Sequence, residues 1–136
     1  MIPNTLFSGN TLLTSFDFTF ALCSNLQSIQ PDLFRYNSNA FSFTRTFYQC
    51  SKLQLNSNIF YSGSEINTRF FNLDFAGSGF TECFYRDSFT GVQGTAPDLW
   101  NCNFGTGVPD ETGCYGGSGN SLTSLSNYAL IPGSWL

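Results

Sequence analysis

Histidine is absent from this chain of 136 residues, and charged residues make up only 10% of it. Without histidine, neither a Ser-His nor a Cys-His nucleophile can be assembled. Five cysteines are present, but no two of them form a Cys-x-x-Cys pair, which argues against a zinc site. The sequence therefore predicts no catalytic residue, no metal ligand and no cofactor.

Basic residues and long apolar runs are also scarce. Five basic residues against nine acidic ones leave a net charge of -4, which opposes the phosphate neutralisation on which nucleic-acid binding relies. No apolar run approaches the roughly 18 residues of a membrane-spanning helix. The start of the chain also lacks the basic and apolar segments of a secretory signal. We therefore expect no nucleic-acid partner and no membrane insertion.

Phenylalanine is abundant instead, with 16 residues, and its positions repeat along the chain. A period of about 20 to 50 residues is typical of solenoids. The pattern predicts a single repeat domain, 1–136, with copies at about 2–28, 29–54, 55–95 and 96–130 and a partial copy at 131–136. The third copy carries an insertion at 66–79. The first two copies match position for position, as Leu6, Phe7, Asn10, Phe16, Phe20 and Cys23 become Leu33, Phe34, Asn37, Phe43, Phe47 and Cys50.

The local patterns within each copy indicate short strands and turns. Apolar and polar residues alternate at 15–20 and 40–44, as in half-buried strands. The Pro-Asp-Leu openings at 31–34 and 97–100 favour a short helical or 3₁₀ segment. The predicted fold class is a β-rich solenoid, leucine-rich-repeat-like, with short strands and 3₁₀ or helical turns in about four rungs plus a partial fifth. Two aromatic columns are expected in its core: Phe16, Phe43 and Phe80, and Phe20, Phe47, Phe84 and Tyr115.

Residues 20–29 and 47–53 carry an aromatic-x-x-Cys-x-x-Leu pattern. In the first segment, Ile29 follows three residues after the Leu. This pattern resembles the core of BspA-type leucine-rich repeats. The Phe-rich form is similar to repeat proteins of bacteria and their phages. The resemblance implies a non-enzymatic role in surface adhesion, receptor recognition or the structure of a particle, and it does so by analogy of fold alone.

Both ends of the predicted solenoid lack the polar caps that such folds normally need. The first copy begins at Ile2, and the last stops on apolar residues at Leu136. We expect other protein subunits or flanking repeats to cover both ends, with a host-surface glycan or protein as a further candidate partner.

The leading functional hypothesis is a non-enzymatic structural or recognition module on the exterior of a phage virion. It would be a head or tail fibre or a decoration protein that mediates assembly or attachment. The alternative is a fragment of a bacterial cell-surface BspA-like adhesin, and a polysaccharide-active enzyme is a remote third. The expected location is the virion or an extracellular surface. If the chain were a polysaccharide-active enzyme, the candidate catalytic carboxylates would be Asp74, Glu82, Asp87, Asp98, Asp110 and Glu111.

Two sets of residues are candidate sites. A column that keeps its register but changes its chemistry runs through Phe18, Arg45, Glu82 and Gly113, which favours exposure to solvent. The predicted recognition surface is Arg45, Tyr48, Glu82, Tyr85 and Arg86, because Tyr and Arg are enriched at interface hot spots; a merely solvated face is the alternative. A disulfide is predicted between Cys102 and Cys114, or between Cys83 and Cys114, with buried free thiols as the other interpretation.

Overall fold

The structure is a computed structural model that describes residues 1–118 and 122–136. Its backbone consists mainly of turns. Isolated parallel bridges join Ile2 to Ile29, Ser15 to Ser42, Leu55 to Gly94 and Gly79 to Asp110. The helices of the described residues are short 3₁₀ segments at Ser64–Thr68, Leu99–Asn101, Tyr128–Leu130 and Gly133–Trp135. None of these helices is long and apolar enough to cross a membrane.

The predicted β-rich solenoid, and with it the leucine-rich-repeat class, is wrong. Over the described ranges, extended pairing is limited to isolated bridges, and no strand or sheet forms. The segments 15–20 and 40–44 each provide one bridged residue and then turn. The physical reason is that Phe18 and Arg45 adopt φ values of 58° and 52°, a left-handed conformation that an extended strand does not contain.

The two Pro-Asp-Leu segments adopt different local structures. The prediction is confirmed at 97–100, where a 3₁₀ helix spans Leu99–Asn101. At 31–34 the chain forms a turn instead, in which Asp32 has a φ of 63° and the N–H of Leu33 donates to the carbonyl of Ile59. The N–H of Arg35 still donates to the carbonyl of Asp32 at 3.1 Å, so contact with the next copy adds to the local bond.

Backbone hydrogen bonds between consecutive copies run in one direction along the segments that follow the bridged residues, whereas before them the second copy also donates back, from Phe41 and Ser42 to the carbonyl of Thr14. We call residues 15–22, 42–49, 79–86 and 110–117 the turn face. In a regular parallel sheet, each strand both donates to and accepts from the same neighbour, whereas the first copy here only donates along this face. The N–H groups of Phe16, Phe18, Phe20 and Leu22 donate to the carbonyls of Ser42, Thr44, Thr46 and Tyr48, at 2.8, 3.0, 2.9 and 2.7 Å.

The same one-way pattern continues into the later copies. The second copy donates to the third from Phe43 to Gly79 at 2.7 Å, and the third donates to the fourth from Phe80 to Asp110 at 2.8 Å. Left-handed residues recur at one register of this face, with φ of 58° at Phe18, 52° at Arg45, 49° at Glu82 and 65° at Gly113. Mixing right- and left-handed residues turns successive N–H groups to one side of the chain. The N–H groups of the turn face therefore point towards the following copy in each of the first three copies.

The two predicted aromatic columns are confirmed. In the first, Phe43 stacks on Phe16 at 5.6 Å and on Phe80 at 5.7 Å between ring centroids. In the second, centroid spacings of 5.4 Å join Phe20, Phe47, Phe84 and Tyr115 in turn. Burial of each such ring contributes about 1.5–3 kcal/mol, so these columns form the main support of the fold.

The insertion in the third copy belongs to the core. Phe70 is buried and lies edge-on to Phe43, with 6.0 Å between ring centroids. The Arg69 guanidinium donates to the carbonyls of Asn37, Ser38 and Ala40, and burial lowers its pKa to about 10. The insertion is thereby fixed to the second copy. The residues from 116 to 126 are rich in Gly, Ser and Asn, which predicts a loop, and 119–121 of this stretch lie outside the described residues.

Candidate recognition surface

The structure brings together four of the five residues predicted to form a recognition surface. Arg45 Nε donates to Glu82 Oε2 at 2.5 Å, and this hydrogen bond is the main cause that raises the pKa of Arg45. Both side chains are partly exposed, so solvent screens the pair and its contribution to stability is small. It nevertheless fixes the positions of both charges across adjacent copies.

Aromatic rings flank this ion pair. Tyr48 and Tyr85 stack with their ring centroids 5.4 Å apart, and the Arg45 guanidinium lies 5.0 Å from the Tyr48 ring and 5.7 Å from that of Phe18. The side of the molecule that carries these groups is the turn face. A partner would meet a cation, an anion and aromatic rings in a fixed order there.

Arg86 does not belong to this surface, because its side chain is buried. Its Nη1 donates to the carbonyl of Leu53 at 2.8 Å, and its guanidinium lies 5.0 Å from the ring of Phe89. Burial lowers the pKa of Arg86 to about 10. The residue supports the core rather than contacting a partner.

Asp87 holds three segments of the chain together next to the Tyr85 ring. Ser118 Oγ donates to Asp87 Oδ1 at 2.5 Å, and Gln49 Nε2 donates to Oδ2 at 2.6 Å. These bonds lower the pKa of Asp87 to about 2, and the bond from Ser118 has the largest effect. A hydrogen bond to Asp87 also raises the pKa of Tyr85. The carboxylate is thus held ionised as an acceptor between copies.

The cysteines are all free thiols, so the predicted Cys102–Cys114 and Cys83–Cys114 disulfides are not formed. Burial raises the pKa of Cys50 to about 11 and that of Cys102 to about 12, and it raises the pKa values of Cys83 and Cys114 well above their usual range. Cys23 differs because it is exposed. Over the described ranges, no group of three or more possible metal-ligating side chains comes together.

The first copy is uncovered at positions where the second copy is buried. Leu6 is 48% exposed and its equivalent Leu33 is 1% exposed, while exposed Cys23 corresponds to fully buried Cys50. Leu12 and Leu22, at 83% and 70%, are also exposed. Sequence reasoning predicted an uncovered end but not these residues, because the copies have nearly the same pattern whether or not a neighbour covers them.

The opposite end is closed by the last segment of the chain. Trp135 is buried, and its ring centroid lies 5.9 Å from that of Phe80 and 6.4 Å from that of Tyr115. The N–H of Tyr115 donates to the carbonyl of Trp135 at 2.8 Å. The prediction that both ends are open therefore applies to the first copy, whereas 131–136 packs on the fourth.

A groove of about 340 Å³ lies between the third and fourth copies. The rings of Tyr61 and Trp100 line it together with the polar side chains of Asp98 and Asn101. Trp100 is held edge-on to Tyr115 at 5.9 Å between centroids. Aromatic faces beside hydrogen-bonding groups can accept a small polar ligand.

Comparison with known proteins gives no match to a family model, a curated protein or a solved structure. The resemblance to BspA-type repeats stays a prediction from the sequence. The function must therefore be argued from the geometry of this chain.

Proposed function

We propose that this chain is a non-enzymatic structural or recognition module that acts through protein–protein contact. The observation that carries the proposal is the uncovered first copy, where side chains such as Leu6, Leu12 and Leu22 are exposed. Contiguous apolar patches at a surface are typical of protein interaction sites. The ion pair and tyrosines of the turn face supply polar and aromatic groups, as interfaces often do. Leu22 is joined to one of these tyrosines, because its N–H donates to the carbonyl of Tyr48.

The direct test is assembly in the native source. We expect the wild-type chain to migrate there in a complex larger than its own 15.1 kDa. The double variant Leu12→Lys and Leu22→Lys should lose incorporation, because it places charge in the contact while leaving the core intact. Both side chains are exposed, so the free energy of unfolding should change by no more than about 0.5 kcal/mol each.

Val108→Lys is the matched control, because Val108 is 82% exposed but belongs to the fourth copy. It should assemble as the wild type does. A wild-type chain that migrates as a 15.1 kDa monomer in its native source would contradict the proposal. So would equal loss of assembly in the control and in the double variant.

The groove beside Trp100 favours a second candidate function, the binding of a host-surface glycan. Titration with a panel of mono- and disaccharides, followed by tryptophan fluorescence, tests it, since Trp135 is buried and Trp100 lines the groove. We expect a saturable change that Asp98→Asn weakens at least tenfold. A panel without any change in fluorescence or in the amide spectrum of the groove would rule this candidate out.

The cellular setting stays a prediction from the sequence alone. The exterior of a phage virion is the first of these predictions, and a bacterial adhesin is the second. Identification of the complex in the assembly test would decide between them, because a particle and a cell envelope sediment differently.

A further inference from the structure

The first copy presents a row of backbone carbonyls that accept no hydrogen bond from the described residues. In the second copy, the carbonyls of Ser42, Thr44, Thr46 and Tyr48 accept from the first. A shift of 27 residues leads back to the equivalents in the first copy, which accept from no residue that the structure describes. These equivalents are the carbonyls of Ser15, Asp17, Thr19 and Ala21.

The side chains next to this row are those that a neighbouring copy covers elsewhere. Phe7 and Phe20 end their aromatic stacks and are only partly buried, whereas their equivalents Phe34 and Phe47 are fully buried. Asn37 donates to the carbonyl of Asn10 at 2.9 Å, but Asn10 is itself exposed. The first copy thus presents the acceptor half of a contact that is completed three times along the turn face, in the second, third and fourth copies.

The direction of the hydrogen bonds restricts what can complete it. A symmetric dimer through this face would set one row of carbonyls against another, because an isologous interface uses the same patch twice. Two rows of acceptors cannot bond each other. The other end of a second copy is also a poor match, since Tyr115 already donates to Trp135 there and Trp135 covers the rings.

We infer that the first copy is a docking edge for a repeat-type segment of a partner polypeptide. This segment would donate backbone N–H groups from every second residue to the carbonyls of Ser15, Asp17, Thr19 and Ala21. It would also place an apolar ring over Phe20. The inference rests on the proposed function and defines its partner, by the same logic as strand addition to an open edge and in continuity with the contact between consecutive copies.

A chain with residues 2–28 duplicated in frame before the original first copy tests this inference. The added copy carries Cys23→Ser, so that modification of the original Cys23 by a thiol reagent reports on coverage. We expect modification at least tenfold slower than in the wild type, because the equivalent Cys50 is fully buried under the first copy. The melting temperature should also rise by about 5 °C or more.

Two variants of the added copy separate backbone donation from apolar contact. Phe20→Ala and Phe20→Pro both remove the ring, but only proline removes the N–H donor. We expect the alanine version to keep most of the protection of Cys23 and the proline version to lose it by at least tenfold. Equal protection by both would overturn the inferred donor while leaving a protein contact at this face.

Two further results would overturn the inference. One is an added copy that changes neither the reactivity of Cys23 nor the melting temperature. The proposed function would survive that result if the Leu12→Lys and Leu22→Lys variant still lost native assembly. The other is wild-type Cys23 that becomes protected as the protein concentration rises, which would assign the face to a second copy of this chain.

Discussion

Equivalent residues in adjacent copies have different surroundings, and Asn37 and Asn10 show this most clearly. Buried Asn37 donates from Nδ2 to the carbonyls of Phe7 and Asn10, at 3.1 and 2.9 Å, whereas Asn10 is exposed. Asn37→Ala should lower the free energy of unfolding by about 1–3 kcal/mol, because it leaves two acceptors without their donor. Asn10→Ala should cost less than about 0.5 kcal/mol. Equal costs in urea unfolding would contradict this account of the contact between copies.

Asp87 predicts a dependence of stability on pH. Its pKa is about 2 in the folded chain, against an ordinary value of 3.8, because Ser118 and Gln49 donate to the ionised form. A lowered pKa gives stability that is present above pH 4 and is lost as the pH falls towards 2. Melting temperatures between pH 2 and 5 should therefore fall less steeply for Asp87→Asn than for the wild type.

Asp74→Asn is the control for loss of one charge, since Asp74 is an exposed carboxylate outside the Asp87 network. Its profile should differ from that of Asp87→Asn in this pH range. Parallel profiles for the two variants would show that the Asp87 hydrogen bonds do not form in solution.

A glycine substitution at Ala76 tests whether this residue adopts the left-handed conformation. Its φ is 49°, and its side chain is exposed. Ala76→Gly should leave the free energy of unfolding unchanged or raise it by up to about 1 kcal/mol, because glycine adopts this conformation without strain. Ala129→Gly, in the 3₁₀ helix Tyr128–Leu130, should instead lower it by about 0.5–1 kcal/mol. Chemical denaturation of both variants would compare them, and destabilisation by Ala76→Gly of the same size would count against the left-handed turn.

The residues of the recognition surface could be predicted from the sequence only in part. The variable column placed Arg45 and Glu82 at one register, and in the structure their side chains meet, a pairing that the sequence did not predict. Arg86 was misplaced because a charged side chain is ordinarily exposed, and nothing in the local pattern shows that its guanidinium reaches the carbonyl of Leu53. That contact depends on a residue 33 positions away in the sequence.

At the scale of the element, the alternating pattern at 15–20 and 40–44 predicted one-sided burial but not backbone conformation. Phe16 and Phe43 are buried as a half-buried strand would require. The same spacing of buried residues arises when a turn follows a single bridged residue, so periodicity alone does not separate the two. Phe18 and Arg45 are not residue types that signal a left-handed φ, and the strand prediction failed there.

The aromatic contacts predict unequal costs for a phenylalanine inside the core and one at its end. Phe43 is fully buried and contacts the rings of Phe16, Phe34 and Phe80, whereas Phe7 lies at the end of its stack. Phe43→Ala should lower the free energy of unfolding by about 3–5 kcal/mol, and Phe7→Ala should lower it by about 1–2 kcal/mol. Equilibrium unfolding in urea measures both. A cost for Phe7 as large as that for Phe43 would mean that the first copy is covered in solution.

At the scale of the whole molecule, the repeat was readable from the sequence because the same side chains return to the same register, with a shift of 27 residues between the first two copies. The difference between the two ends was not. Whether 131–136 folds over Tyr115 depends on contacts such as Phe80 with Trp135, which join residues 55 positions apart. Over the described residues, the first copy is therefore uncovered, whereas 131–136 covers Tyr115 of the fourth copy.

The central claim is that, beyond the bridged residues, the copies are joined by one-way backbone hydrogen bonds along the turn face. Through-hydrogen-bond NMR couplings between amide nitrogens and carbonyl carbons test it most directly. We predict couplings from Phe16 to Ser42, from Phe43 to Gly79 and from Phe80 to Asp110, in that direction, because each N–H donates to that carbonyl. A coupling from the amide of Thr44 back to the carbonyl of Phe16 would instead show the two-way pairing of a parallel sheet and would contradict the account.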